Sequence, residues 1–242
     1  MHKCFSSLAA AVCCCVYLNV GMAEVITIVS PNDLAEVEGD SALVASCCSS
    51  PFRLQHVFPS EDFESVPLGG ALLTRIALRP DGEVVTTPLT KTLSDTVMQF
   101  STTSSSPGAG NLSLTFDENV GADVVTVKTG TFTVSTANLG PGGGPKQFDY
   151  LIEFDTPFFY DPAEGNLLWE WNGASEPSTL QDFFTDRPSR LVFSGNGGSV
   201  GSYFGGMVIE FSFVPEPASG VLIVPAALCL GWIRKRRRCA VR

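Results

Sequence analysis

Gln147-Phe148-Asp149-Tyr150-Leu151-Ile152-Glu153-Phe154-Asp155 places Phe148, Tyr150, Ile152 and Phe154 on one parity and Asp149, Glu153 and Asp155 on the other. Consecutive strand residues point to opposite faces, so this stretch reads as a strand with one buried and one wet face. Met207, Ile209, Phe211 and Phe213 repeat the pattern, as do Leu112, Leu114 and Phe116. Further strands are expected at 71–79, 93–102, 123–135, 165–172 and 190–194, and residues 25–29 read as a lead-in or first strand. Clusters such as Gly69-Gly70, Pro107-Gly108, the Gly/Pro run 140–145 and Gly195-Asn196-Gly197-Gly198 punctuate them. A helix is expected only near 178–185. Short alternating strands in this number predict an all-β, antiparallel two-sheet sandwich of jelly-roll or lectin-like shape over residues 51–213. Sixteen phenylalanines between Phe52 and Phe213 supply its core, each burying upwards of ~150 Å².

The flanks carry addresses. Met1-His2-Lys3, an apolar run over 8–20 and Gly21-Met22-Ala23 describe a signal peptide, residues 1–23, cleaved after Ala23. Residues 24–50 then form an acidic lead-in. At the other end, Val214-Pro215-Glu216-Pro217 precedes the sixteen uncharged residues 218–233 and the cluster Arg234, Lys235, Arg236, Arg237 and Arg238. A helix of that length is roughly 24 Å against a hydrocarbon core of ~30 Å, a gap that snorkelling of Arg234 and Lys235 closes. Pro225 inside it is tolerated better in a membrane helix than in a soluble one. Basic residues stay cytoplasmic, so the acidic domain is expected outside. Pro215 and Pro217 hold the junction extended and without N–H donors, accessible at the membrane surface.

The Val-Pro-Glu-Pro block, short apolar helix and Arg-rich end over 214–238 resemble the PEP-CTERM sorting signal of Gram-negative and related bacteria. The resemblance implies export, retention by the tail and processing near Pro-Glu-Pro by an exosortase, a membrane-embedded cysteine peptidase. Residues 143–149 and 156–168 are also similar to stretches of other exported PEP-CTERM proteins of unassigned biochemistry. The location implied is the inner membrane with the domain outside the cytoplasm, then the envelope or extracellular matrix after processing.

Charge excludes one class of partner. All 25 carboxylates lie between Glu24 and Glu216, where eight basic residues accompany them, a net charge of −17. Such a surface repels phosphates, so no nucleic-acid partner is expected. Of eight cysteines, only Cys47 and Cys48 fall in the exported region. Being adjacent, they form neither a disulfide framework nor a Cys-x-x-Cys redox motif.

Candidate chemistry is sparse. Asp117, Asn119 and Asp123 set oxygens at alternate positions, a spacing that can wrap calcium, but without a full twelve-residue loop or closing glutamate. The plainer reading of the same residues is a polar hairpin connection turned by Asn119 and Gly121. Glu153 and Asp155 form a Glu-x-Asp pair similar to that of laminarinase-type enzymes, yet Thr156-Pro157 stand where the further glutamate belongs. A solvated acidic strand face, with Asp149, accounts for them. Trp169, Trp171 and Tyr160 can stack on sugar rings or fill the core; sharing a face with Leu167, the tryptophans are read as core. His56 has no Gly-x-Ser-x-Gly elbow to serve. The expectation is a non-enzymatic surface or exopolysaccharide-associated protein with no cofactor. The alternative is a carbohydrate-binding or glycoside-hydrolase-like sandwich.

Overall fold

The computed structural model describes residues 24–39, 41–42, 52–82, 87–107, 112–173, 182–184, 190–194, 200–204 and 206–216. Along them run strands β1 (Ile26–Ser30), β2 (Ser41–Ala42), β3 (Phe52–Phe58), β4 (Ala71–Leu78), β5 (Leu89–Thr103), β6 (Val125–Thr136) and β7 (Tyr150–Tyr160). They continue with β8 (Asn166–Gly173), β9 (Asp182–Phe184), β10 (Arg190–Ser194), β11 (Val200–Phe204), β12 (Gly206–Met207) and β13 (Ile209–Val214). No α-helix occurs among the described residues, only single 3-10 turns. The strands at 71–79, 93–102, 123–135, 165–172 and 190–194 stand where alternation predicts them. The expected helix near 178–185 does not hold over 182–184, which are the strand β9; residues 178–181 and 185 lie outside the described residues.

All strand pairings among the described residues are antiparallel, and four are nested along the chain. β5 pairs with β6, β4 with β7, β3 with β8, and β1 with β13. Cross-pairing of β13 with β4 and of β8 with β5 joins them into two sheets, β1-β13-β4-β7 and β11-β10-β3-β8-β5-β6. A short ribbon, β12-β9-β2, accompanies them. β1, expected as a lead-in or first strand, is the first strand, at the edge of the first sheet, with Ile28 opposite Phe211.

The core lies between the two large sheets. Leu73, Ile76, Ile152, Phe158, Tyr160, Phe211 and Phe213 come from one, and Leu54, Phe58, Phe100, Trp169 and Trp171 from the other. Trp169 stacks on Trp171 at 5.4 Å between ring centroids, while Phe63 meets Tyr160 and Phe211 edge-on at 5.3 and 5.2 Å. Each such aromatic pair adds about 0.5–1.5 kcal/mol beyond the area it buries.

Two places depart from the expected alternation. Leu112, Leu114 and Phe116 are not a strand: the segment is a loop ending in a 3-10 turn (Phe116–Glu118). Leu112 and Phe116 pack with Val57 and Leu168 on the outer face of β3 and β8, and Leu114 is exposed. The other departure is in β7. Leu73 pairs with Phe158 but Arg75 with Glu153, so residues 154–157 leave β4. Pro157, having no N–H to donate, suits an unpaired position. Here Asp155 accepts from Lys128 Nζ of β6 at 2.7 Å, tying the edge of one sheet to that of the other.

Candidate functional site

A groove of about 410 Å³ opens where β5, β7 and two turns meet, lined by Thr102, Ala122, Asp123, Phe159, Asp161 and Glu164. Its parts follow from local chemistry. Gly121 lets the 121–123 turn lie against β5, since a Cβ there would run into the Thr102 carbonyl oxygen. The turn is then pinned twice. Gly121 N–H donates to Ser101 Oγ at 3.1 Å, and Thr102 N–H donates to Asp123 Oδ1 and Oδ2 at 2.9 and 3.1 Å. On the far side, Asp161 Oδ1 accepts from Ala163 N–H at 3.0 Å, capping the 3-10 turn (Pro162–Glu164) that carries Glu164. Between them stands Phe159, 44% exposed beside a Phe158 that is buried. Adjacent strand residues face opposite ways, so only one of the two phenylalanines can enter the core.

Sequence reading alone does not single out Phe159, Asp161 and Glu164 as site residues. The Phe-Phe dipeptide on an alternating strand was the available signal, because it forces one large aromatic outward. A second missed feature is a polar network under the 112–121 loop. Gln55 Nε2 donates to Glu170 Oε2 (2.5 Å) and to the Phe116 carbonyl (2.9 Å), and Asn119 Nδ2 donates to Gln55 Oε1 (2.9 Å) and the Ser113 carbonyl (2.8 Å). Arg53 Nη2 bridges Glu170 (2.8 Å) and Asp117 (2.7 Å), with its guanidinium 4.8 Å from the Phe116 ring centroid. Gln55, Asn119 and Glu170 bond to one another or to Ser113 and Phe116, which fastens the loop to the sheet, while Arg53 Nε stays buried without a partner among the described residues.

The residues of the calcium set are engaged separately. Asp117, Asn119 and Asp123 are turned to three different partners, Arg53, the Gln55–Ser113 pair and the Thr102 N–H, and are not brought together as one ligand set. Among the described residues no group of three His, Cys, Asp or Glu stands together as metal ligands.

Glu153 and Asp155 of β7 are exposed and individually engaged, whereas Asp149 lies just before the strand, half-buried, and is not part of a solvated strand face. Asp155, paired with Lys128, has its carboxyl held below the usual range first by that hydrogen bond. Glu153 lies 3.7 Å from Arg75, and Asp149 Oδ2 accepts from the Ala137 N–H at 2.8 Å. Trp169, Trp171 and Tyr160 are buried in the core, as their shared parity with Leu167 and Phe158 requires. Burial pushes the Tyr160 hydroxyl up, and it donates to the Gly165 carbonyl at 2.9 Å. His56 is also fully buried, its ring 3.8 Å from that of Phe58, and desolvation lowers its pKa to about 3.

At the end of the sandwich β13 stops at Val214, Pro215 is half-buried and Glu216 is exposed. Ala23, Cys47, Cys48, Pro217 and residues 218–238 lie outside the described residues. Among the described residues no helix is long and apolar enough to cross a membrane. Comparison of the chain with protein-family models, with curated proteins and with solved structures finds no match in any of the three.

Proposed function

We propose that this is an exported bacterial protein, sorted through a PEP-CTERM tail to the envelope or extracellular matrix, where a jelly-roll domain serves surface or polymer association without catalysis. One observation carries the reading: Val214-Pro215-Glu216-Pro217, a sixteen-residue uncharged stretch and a five-residue basic cluster follow one another in fixed order. The position of the block supports it. Val214 is the last residue of the last core strand, so a cut beyond Glu216 frees the domain without removing a paired residue. The nested pairing of β1 with β13, β3 with β8, β4 with β7 and β5 with β6 supports jelly-roll connectivity. The binding rather than catalytic role draws on the state of the titratable groups. The chain's second histidine, His56, is neutral inside the core, and Glu153 and Asp155 stand in solvent beside Arg75 and Lys128. Neither carboxylate has the burial that raises a general acid into its working range.

The experiment replaces Arg234, Lys235, Arg236, Arg237 and Arg238 by neutral residues in a host that has an exosortase. Loss of the cytoplasmic anchor releases or misorients the protein in fractionation and protease-accessibility assays. Unchanged fractionation and accessibility contradict the reading.

A further inference from the structure

We propose that the groove at the end of β5 and β7 is a glycan subsite taking a neutral or amino-bearing hexose unit of a polysaccharide, with Phe159 as stacking platform and Asp123, Asp161 and Glu164 as acceptors. This deepens the envelope reading by naming the polymer chemistry and the residues that hold it. The platform is exposed and backed on one side. Gly70, at φ 87°, lies against one side of the Phe159 ring, and a Cβ there would come within 2.5 Å of its Cζ. Phe159 lines the groove and is 44% exposed, so part of its aromatic surface is open to a ligand there. A pyranose presents a face of C–H bonds to such a ring and its hydroxyls around the rim, which matches an aromatic floor within a polar wall.

The wall selects by charge. Three carboxylates line the groove with no lysine or arginine among the lining residues. Ionised carboxylates only accept hydrogen bonds, so the ligand must bring donors, hydroxyls or ammonium groups. A polyanion is opposed here and by the net charge of −17 between Glu24 and Glu216. Two of the three acceptors are also held in place before any ligand arrives. Asp123 is fastened through both oxygens by the Thr102 N–H, and Asp161 through Oδ1 by the Ala163 N–H. Their remaining lone pairs serve a ligand without reorganisation. A volume of about 410 Å³ falls within the ~300–1,000 Å³ of small-molecule sites, and the groove is open to solvent, so a polymer can pass through it instead of being held by an end.

The test is affinity electrophoresis of the full-length protein in mild detergent, through gels containing a neutral β-glucan, chitosan or alginate. Retardation is expected from the β-glucan or chitosan and not from alginate. Phe159→Leu, which stays apolar but loses the ring, is expected to weaken binding at least tenfold, while Phe159→Tyr retains it. Asp161→Asn with Glu164→Gln keeps the turn cap and is expected to weaken chitosan binding severalfold. No retardation by either the β-glucan or chitosan, retardation by alginate, or equal binding by Phe159→Leu and the parent overturns the proposal. Binding is read on purified protein whatever its cellular address. A negative result here therefore leaves the sorting reading intact, and a cytoplasmic address leaves this test intact.

Discussion

His56 shows how one residue couples burial to acid stability. On β3 it shares the inward parity of Phe52, Leu54 and Phe58, and its ring packs so closely on the Gly206 backbone that a Cβ there would collide with it. With its pKa lowered to about 3 by burial, the folded protein holds a neutral imidazole where the unfolded chain titrates near ~6.5. Between those values the unfolded state binds the extra proton. Stability is therefore fully present above pH ~6.5 and is lost as pH falls toward 3, by up to ~1.4 kcal/mol per unit. Asp62 and Glu210, whose carboxyls burial raises, act with the opposite sign, so the comparison must be with a variant that keeps them. In urea unfolding, the parent is expected to lose about 2 kcal/mol more than His56→Leu between pH 6 and pH 4. Equal losses would contradict a buried neutral His56. Its placement was legible from the parity of its neighbours; its closeness to Gly206 was not, because that contact joins residues 150 positions apart.

β7 carries the contest between binding and catalysis at the level of an element. Its outward carboxylates, Glu153 and Asp155, are exposed beside Arg75 and Lys128, while Asp149, just before the strand, is half-buried, with Oδ2 bonded to the Ala137 N–H and Oδ1 sheltered. Exposed pairs of this kind contribute little to stability. The variant Asp149→Asn/Glu153→Gln/Asp155→Asn is expected to keep a strand-dominated circular-dichroism spectrum, to melt within about 4 °C of the parent and to bind polysaccharide as the parent does. A polysaccharide-hydrolysing activity present in the parent and lost in this variant would transfer β7 to the enzymatic reading. This strand was legible in part: Tyr150 and Ile152 are buried as their parity demands and Phe154 is half-buried against the core, but Phe148 lies before the strand and packs with Leu34 and Val208. The 112–116 segment has the same period and is a loop. Alternation records which side chains are buried, and Leu112 and Phe116 are buried on the outside of a sheet, against Val57 and Leu168. Period two alone does not distinguish a backbone paired to a neighbour from one lying across it. The same limit hid the groove, whose walls come from β5, β7 and two turns that only the tertiary fold brings together.

At the scale of the whole molecule, the nested strand pairing explains why order in the sheets was less legible than the strands themselves. β1 meets β13 across nearly the full length of the domain, and no local signal encodes which edge a strand will join. The tail is the reverse case. Its charge, apolar length and proline spacing are properties of composition, readable without any tertiary contact. The two ends of the chain thus make the account's central claim, that a β-sandwich is exported and then released from a membrane-held tail beyond Glu216. Intact-mass analysis of the protein recovered from the envelope of an exosortase-bearing host tests it most directly. The expected species begins at Glu24 and ends close to Pro217, lacking both residues 1–23 and the Arg234–Arg238 cluster. A chain recovered from the cytoplasm with Met1 and Arg242 both in place would contradict it.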